Sequence, residues 1–291
     1  MRSTTRTAAA VLGLVLAASL STGCSTSDDP APNTAAQAGA FPAGSTMDKI
    51  RKRGRLIVGV KYDQPAFGLL NPLTGRPEGF DIEIARLIAE DLTGSKENIT
   101  YVETVTANRE AFLQQGKVDL VLASYVVNDE RKKQVAFAGP YFDTGISIMT
   151  RKGDRSIRGA ADLNGRPVCV AQGSTSAEVL PHLAPRAELR EFSAYSYCAQ
   201  ALKDRRVDAM VTSESILIGL EQQNPDGLAV VPGHLEPEEV AVGLPKGDRA
   251  LHRHLDAFLD RIAEDGRWRQ AYRDTVGKVT HVSPSPPETT L

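Results

Sequence analysis

The stretch from Val118 to Phe142, VDLVLASYVVNDERKKQVAFAGPYF, constrains the fold more than any other part of the chain. Its first six residues are mostly apolar, and so short a run is typical of a strand that is buried on both faces of a parallel sheet. The run ends at Ser124, and the charged segment DERKK follows after Asn128. Because ligands of open α/β sheets bind beyond the carboxyl ends of the strands, the pattern predicts an α/β fold with a ligand site after this strand.

Arg131 lies in the charged segment, close enough along the chain for its guanidinium to fold back over the strand end. A planar guanidinium can hold a carboxylate through two parallel hydrogen bonds. A run such as DERKK is also typical of a solvated helical face, and spacing alone favours that interpretation. The residues therefore leave two interpretations of Arg131: an anion-binding side chain, or a charge on an exposed helix.

Other apolar patterns support the same class of fold. Residues 56–60 and 99–103 are rich in β-branched side chains and predict strands, and residues 46–55 predict a short helix before the first of them. Segments 109–119 and 198–208 each read as a helix, a tight turn and Val-Asp before an apolar strand. This similarity between the two segments is explained by two lobes that are built alike and face each other. Chance similarity between two αβ units is the alternative.

The amino terminus has the organisation of an export signal. Arg2 and Arg6 supply a positive segment, residues 8–20 supply a short apolar core, and the following LSTGC resembles a bacterial lipobox. This predicts that residues 1–23 are a lipoprotein signal peptide and that Cys24 carries the lipid, anchoring the exported protein to the outer face of the bacterial cytoplasmic membrane. A plain secreted protein that is cleaved near the same place is the alternative. The Ser-, Thr-, Pro- and Ala-rich residues that follow predict a flexible tether up to residue 45.

Composition excludes several classes of function. The chain has 291 residues, enough for two modest lobes, and its 34 basic and 36 acidic residues give no indication of a nucleic-acid partner. No apolar run reaches membrane-spanning length. The five histidines are scattered, and neither zinc-ligand spacing nor a Ser-His-Asp order nor a phosphate-binding glycine loop occurs. We therefore expect no metal and no cofactor.

Cysteine usage agrees with export. With Cys24 assigned to the lipid, Cys169 and Cys198 remain, and an oxidising compartment allows them to form a disulfide. Two separate buried thiols are the alternative.

Several short motifs, taken together, are more specific than any one of them. They are VKYDQP (60–65), the Asn-Pro turn (71–72), GFDI (79–82), FAGPY (137–141) after Arg131, Cys169 with GST (173–175), and YSYC (195–198). The chain from about residue 48 to 276 resembles family 3 extracellular solute-binding proteins, the amino-acid receptors of ABC importers, and in particular actinobacterial glutamate-binding lipoproteins.

This resemblance implies a two-lobed periplasmic-binding-protein (type II) fold with two hinge crossings and a ligand cleft between the lobes. We expect the crossings near residues 141–145 and 240–244. The implied organisation is the signal peptide (1–23), the tether (24–45), lobe 1 (46–142 and 245–278), lobe 2 (143–244) and a disordered Pro-rich tail (279–291).

The resemblance also implies roles for individual residues. Arg131 would clamp the α-carboxylate of an amino acid, and backbone amides near Ser124, Val126, Ser174 and Thr175 would complete its cradle. Lys61 and Gln64 lie in the loop that meets the ligand's side chain in the family.

A lysine at position 61 would favour an acidic ligand side chain, since opposite charges attract strongly in a desolvated cleft. A solvated loop lysine is the alternative.

Two positions depart from the family pattern. The family has Thr or Ser where this chain has Val126, and it has an ammonium-binding Asp where this chain has Ser213. Glu214 is adjacent to Ser213, but neighbouring side chains of a strand point to opposite faces, so we expect it to substitute only in part. An anionic ligand without an ammonium group is therefore an alternative.

The preferred prediction is a monomeric solute-binding lipoprotein that captures a polar or acidic amino acid, glutamate- or glutamine-like, and delivers it to ABC permease subunits. An extracytoplasmic sensor for a membrane signalling protein is an alternative, because the same fold serves that purpose. A third possibility is an enzyme similar to cyclohexadienyl or arogenate dehydratases, with buried Glu214 as general acid. We expect that the protein is not an enzyme.

Overall fold

The computed structural model describes residues 41–282 and 284–291. The predicted signal peptide, Cys24 and most of the predicted tether lie outside the described residues. The last five residues of that tether are instead part of the folded protein. Ser45 caps the first helix by accepting a hydrogen bond from the Asp48 amide at 3.2 Å, and the ring of Phe41 packs on the core and meets His254 edge-on.

Helices and strands alternate along the described residues. The helices are α1 (Thr46–Arg53), α2 (Phe80–Thr93), α3 (Arg109–Gln114), α4 (Asp129–Gln134), α5 (Thr175–Leu183), α6 (Tyr195–Lys203), α7 (Glu214–Gln223), α8 (Arg249–Glu264), α9 (Arg267–Asp274) and α10 (Gly277–Thr280). The strands are β1 (Leu56–Val60), β2 (Asp63–Gln64), β3 (Gly68–Leu70), β4 (Pro77–Glu78), β5 (Ile99–Glu103), β6 (Leu120–Leu122), β7 (Ala136–Arg151), β8 (Pro167–Ala171), β9 (Glu188–Phe192), β10 (Ala209–Ser213) and β11 (Leu228–Leu244).

Eight of these strands form one mixed sheet in the order β5-β1-β6-β11-β7-β10-β8-β9. On one side of the sheet β1 pairs in parallel with β5 and β6, and on the other β8 pairs in parallel with β10 and β9. All three residues of β6 are buried, as expected for a strand covered on both faces. The strands predicted at 56–60 and 99–103 have the expected bounds.

The two long strands β7 and β11 join these two halves. They pair in antiparallel fashion along most of their length, with register shifts between Val231 and Glu236 and between Val240 and Val242. Both predicted crossings fall within this ribbon. The cores divide in the same way: two clusters of buried apolar residues draw on residues 47–141 and 240–276, and two draw on residues 146–228.

The second half contains the disulfide. Cys169 of β8 and Cys198 of α6 are bonded, with their Cα atoms 5.5 Å apart, so the predicted pairing is confirmed and the alternative of separate thiols is wrong. Within the described residues, no helix has the length and apolar character needed to cross a membrane.

The carboxyl-terminal residues differ from the expected disordered tail. Residues 279–280 complete α10, and the amides of Thr290 and Leu291 donate hydrogen bonds to the Gly139 carbonyl at 2.9 and 3.1 Å. Leu291 also packs against the apolar cluster around Tyr125. The proline-rich composition of residues 279–291 predicts disorder. The structure nevertheless packs Leu291, the last residue of the sequence, against the core.

Candidate ligand-binding site

A narrow cavity of about 10 Å³ lies between the two lobes, where β1 and β6 end and where α5 and α7 begin. Both lobes contribute to its lining, which includes most of the residues that the sequence predicts. Those predicted residues are Gln64, Ser124, Val126, Arg131, Ser174, Thr175 and Ser213. Thr106, Arg109, Tyr195 and Ile216 also line the cavity and are absent from the predicted set.

The lobes approach closely around this cavity. The Tyr195 amide of lobe 2 donates to the Asp63 carboxylate of lobe 1 at 2.8 Å, and Asn128 donates to Glu178 across the cleft at 2.9 Å. A Cβ atom on Gly173 would lie 3.1 Å from the Ala107 Cα atom of the other lobe, so only glycine allows this approach without a shift. The two lobes are therefore in a closed arrangement.

Arg131 points into this cleft. Asn128 caps the short helix α4, and Arg131 in its first turn is buried while its neighbour Lys132 is exposed. The guanidinium donates to the carbonyls of Val126 at 2.5 Å and of Gly173 at 2.9 Å. DERKK is thus a helix with a solvated face, but Arg131 lies on the other side of it, and the interpretation of Arg131 as an exposed charge is wrong.

The Arg131 guanidinium retains capacity for a ligand. Its Nε atom lies 3.4 Å from the Glu110 carboxylate, and with the two carbonyl bonds this engages three of the five N–H donors that a guanidinium has. Among the described residues, the remaining two have no recorded partner. They suit a carboxylate oxygen in the cavity.

Arg109 is a second buried cation that the sequence pattern does not single out. Its Nε donates to the Thr106 carbonyl at 3.0 Å, and its guanidinium lies 4.3 Å from the centre of the Tyr125 ring. Burial, together with the nearby charge of Arg131, lowers the pKa of Arg109 to about 10, so it stays protonated at neutral pH. The only sequence signal for Arg109 is its place at the start of α3, the helix before β6.

Lys61 is buried rather than solvated, which excludes the alternative of a loop lysine in water. Its ammonium donates to the hydroxyl of Thr106 at 2.7 Å and lies 5.9 Å from the centre of the Tyr195 ring. Burial, with the charge of Arg109, lowers the pKa of Lys61 to about 7. Because Thr106 and Tyr195 line the cavity, Lys61 lies directly behind its wall.

Gln64 presents a donor without a partner. Its side-chain oxygen accepts a hydrogen bond from the Ser124 hydroxyl at 2.9 Å, whereas its Nε2 atom is buried and has no hydrogen-bond partner among the described residues. A buried amide N–H without a partner is costly, and a ligand oxygen would relieve that cost.

Asp81 bonds the residues that follow β6, and its contacts correct one predicted role. Its carboxylate accepts from the Ser124 amide at 2.7 Å and from the Tyr141 hydroxyl at 2.7 Å, and burial raises the pKa of Asp81 to about 6. Ser124 has a left-handed backbone with φ of 43°, a conformation that this bond supports. The Ser124 amide is therefore engaged by Asp81 and is not available for the expected carboxylate cradle.

Helix α5 directs its amino terminus at the cavity. Ser174 caps it by accepting from the Ala177 amide at 3.2 Å, and its first residue is Thr175. A helix amino terminus favours an anion, because its first N–H groups have no partner within the helix. The Ser174 amide donates to the Ala171 carbonyl at 3.1 Å and is not available for the predicted cradle, whereas the position of Thr175 is compatible with it.

Glu214 does not reach the cavity. Strand β10 ends at Ser213, and Glu214 begins α7 with its side chain about one-third exposed and 2.7 Å from the His234 ring. The expectation that Glu214 partly replaces the missing aspartate is therefore wrong, because the chain turns into a helix there and carries the side chain outward.

Glu238 of β11 is the carboxylate that the sequence pattern misses. It is 6% exposed, and it accepts hydrogen bonds from the hydroxyls of Ser213 at 2.5 Å and Thr175 at 2.6 Å. Burial raises the pKa of Glu238 above its ordinary value. Nothing local in the sequence indicates the contact, because Glu238 lies 25 residues from Ser213 and in a run of acidic residues.

Comparison with known proteins identifies the family. The model of the bacterial extracellular solute-binding proteins, family 3, matches residues 56–278. The chain belongs to this family. The predicted resemblance is thereby confirmed, and membership of an extracellular family means that the protein functions outside the cytoplasm.

Individual solute-binding proteins resemble the chain over most of its length. The ABC transporter glutamine-binding protein GlnH of Bacillus subtilis is 36% identical over 230 residues, which are 78% of this chain and 83% of the relative. The glutamate-binding protein GluB of Corynebacterium efficiens is 31% identical over 288 residues, covering 96% of this chain and 93% of GluB. These relatives are solute-binding proteins rather than enzymes.

Solved structures of solute-binding proteins share the fold. The receptor for L-cysteine of Neisseria gonorrhoeae matches with a TM-score of 0.79 and 31% identity, covering 84% of this chain and all of the receptor. An ancestral arginine-binding protein bound to glutamine matches with a TM-score of 0.72 and 34% identity, covering 77% of this chain and 99% of the other. The two-lobed periplasmic-binding-protein (type II) fold predicted for this family 3 protein is therefore confirmed.

Proposed function

We propose that the protein is the solute-binding lipoprotein of an ABC importer that captures a polar or acidic amino acid, glutamate or glutamine, and delivers it to a membrane permease. The observation that carries this proposal is the pair of buried guanidinium groups, Arg131 and Arg109, at a cavity between two lobes. The N–H donors of Arg131 that no described residue engages favour a small anionic group in the cavity. The glutamine- and glutamate-binding relatives support the same substrate class.

Capture follows from lobe closure. Arg131 belongs to lobe 1, and the amino terminus of α5 belongs to lobe 2, so a carboxylate held between them receives N–H donors from both sides. The hydrogen bond from Arg131 to the Gly173 carbonyl also crosses the cleft. A ligand that contacts both lobes stabilises the closed arrangement, which is how hinge closure is driven in two-lobed proteins.

The other polar groups favour a ligand with an acidic or amide side chain. The free amide hydrogens of Gln64 and the charge of Lys61 both lie on the lobe 1 side, and a side-chain carboxylate or amide oxygen can accept from the former.

Delivery requires a position at the membrane and a partner. We propose that Cys24 carries the lipid anchor, that the receptor works as a monomer, and that it docks on ABC permease subunits. The lipobox-like sequence and the relationship to ABC transporter receptors support this arrangement.

The sensor alternative uses the same binding site and differs only in the partner. The enzyme alternative loses its candidate acid, since Glu214 is paired with His234 outside the cavity. We therefore propose transport without catalysis.

Thermal shift measurements on the full chain test the proposal. Saturation at 100 times Kd stabilises a folded protein by about 2.7 kcal/mol, so we expect glutamate or glutamine to raise the melting temperature of the wild type clearly. Arg131→Ala should abolish that rise, and Lys132→Ala, the exposed neighbour on α4, should keep it. A wild type that responds to no amino acid, or an Arg131→Ala protein that still responds, would contradict the proposed function.

A further inference from the structure

The carboxylate of Glu238 is buried beside the cavity, and no described residue forms a direct ion pair with it. Its two hydrogen-bond partners are the hydroxyls of Ser213 and Thr175, and within the described residues no Lys, Arg or His forms an ion pair with it. A buried carboxylate is costly, and here hydrogen bonds from two hydroxyls and the more distant charges of Arg131 and Arg109 favour its ionised form. The site thus contains a negative charge, on Glu238, to which family membership assigns no role.

The hydroxyls of Ser213 and Thr175 determine how the charge of Glu238 acts on a ligand in the cavity. A hydroxyl has one proton and two lone pairs, and each of these hydroxyls gives its proton to Glu238. Ser213 and Thr175 line the cavity, whereas Glu238 lies behind them. They therefore present acceptor lone pairs to a ligand, and the carboxylate fixes this polarity.

The opposite polarity comes from the arginines. Arg109 and Arg131 supply positive charge and N–H donors to the same cavity. An α-amino acid carries a carboxylate and an ammonium on one carbon atom, so it needs a donor region and an acceptor region within a few ångströms of each other. Both are available here.

We propose that Glu238 is the anionic centre that selects ligands with an α-ammonium group, acting through Ser213 and Thr175 as acceptor hydroxyls. This inference rests on the proposed function and deepens it. Strand β11 supplies the carboxylate, and Ser213 transmits its charge to the ligand through the orientation of its hydroxyl. Glu238 is a positioning residue, because it acts through the two hydroxyls.

Replacement of Glu238 by glutamine tests the polarity directly. The amide of Glu238→Gln can donate to one hydroxyl and turn that hydroxyl's own proton towards the ligand, where it opposes an ammonium. Titration calorimetry should compare glutamate with glutarate, which has the same two carboxylates but no ammonium. We expect Glu238→Gln to bind glutamate about 10- to 100-fold more weakly, as for a lost hydrogen bond to a charged group, and to lose the preference for glutamate over glutarate.

Matched variants separate this role from a merely structural one. Glu239→Gln changes the exposed neighbour on the same strand and should keep the wild-type preference. Ser213→Ala removes one acceptor without adding a donor, and should reduce the preference about 3- to 10-fold, which provides a readout if Glu238→Gln does not fold.

Two failures are distinguishable. If the wild type binds neither glutamate nor glutamine, the proposed function is overturned. If the wild type binds one of them and both Glu238→Gln and Ser213→Ala keep the wild-type preference over the desamino compound, the role of Glu238 is overturned while the proposed function stands.

Discussion

The cavity has two walls of opposite chemistry. The cationic wall, formed by Arg109 and Arg131 with Lys61 behind, belongs to lobe 1 and is held by backbone carbonyls and an aromatic ring. The acceptor wall, formed by Thr175 and Ser213 with Glu238 behind, belongs to lobe 2 and is held by hydroxyl-to-carboxylate bonds. Both walls place the formal charge of at least one residue behind a neutral side chain. Charge complementarity in this cavity thus comes partly from residues behind its lining, and hydroxyl orientation transmits it.

The walls also differ in how their lobes are stabilised. Lobe 2 contains the disulfide between Cys169 and Cys198, which encloses a separation of 29 residues, whereas the described part of lobe 1 contains no disulfide. Cross-linking stabilises a protein by restricting the unfolded chain.

The largest expected effect is therefore on the stability of lobe 2. Replacing both cysteines by serine should reduce its free energy of unfolding by about 3–4 kcal/mol on the loop-entropy model. Denaturant titration followed by hydrogen exchange should locate the loss in β8, β10 and α6, while β1, β5 and β6 keep their protection. An equal loss in both lobes would show that the two halves unfold as one unit and that the division into lobes has no energetic basis.

The two walls differ again in how far sequence patterns predict them. Arg131 follows a buried strand within ten residues, so local pattern and family resemblance suffice to find it. Glu238 meets Ser213 only because β11 returns along β7 and brings a distant acidic residue to the end of β10. Pairing between strands far apart in sequence has no local signal, and this explains why the acceptor wall is missed.

Glu214 and Lys61 also show that local sequence patterns do not predict contacts made by the packed structure. The alternation of side chains along a strand correctly predicts that Glu214 cannot share the direction of Ser213, but it does not predict that α7 begins at that point. The sequence places Lys61 at a strand end without revealing that Thr106 and Tyr195 lie against it. Strand bounds such as 56–60 depend on local apolar pattern and are predicted well, whereas burial of a loop side chain depends on the packed structure.

The next effect tests the cationic wall at the residue that the sequence misses. Arg109→Met should weaken glutamate binding about 100-fold, since it removes a charged donor group from a desolvated cavity, and Arg109→Lys should recover part of that loss. Calorimetric titration measures both. Melting temperatures of the unliganded variants provide the control for folding, because Arg109 also bonds the Thr106 carbonyl. Unchanged affinity in Arg109→Met would restrict the cationic wall to Arg131.

The smallest expected effect is a pH dependence that only the cationic wall explains. Lys61 has a pKa of about 7 in the unliganded protein, because burial and Arg109 disfavour its charged form. A ligand carboxylate raises that pKa, so glutamate binding takes up a proton above pH 7 and its affinity falls as the pH rises. Between pH 7 and 8.5 we expect about a tenfold loss for glutamate, by the linkage limit of tenfold per pH unit, and little change for neutral glutamine.

Lys61→Met is the matched control for this profile. It removes the titrating ammonium and keeps Asp81, whose pKa is raised to about 6 by burial, so any slope that remains belongs to other groups. The glutamate profile of this variant should be flat over the same range, and its preference for glutamate over glutamine should be reduced. If the wild-type profile is already flat, the ammonium of Lys61 does not face the ligand's side chain, and selection between glutamate and glutamine must then come from the amide of Gln64.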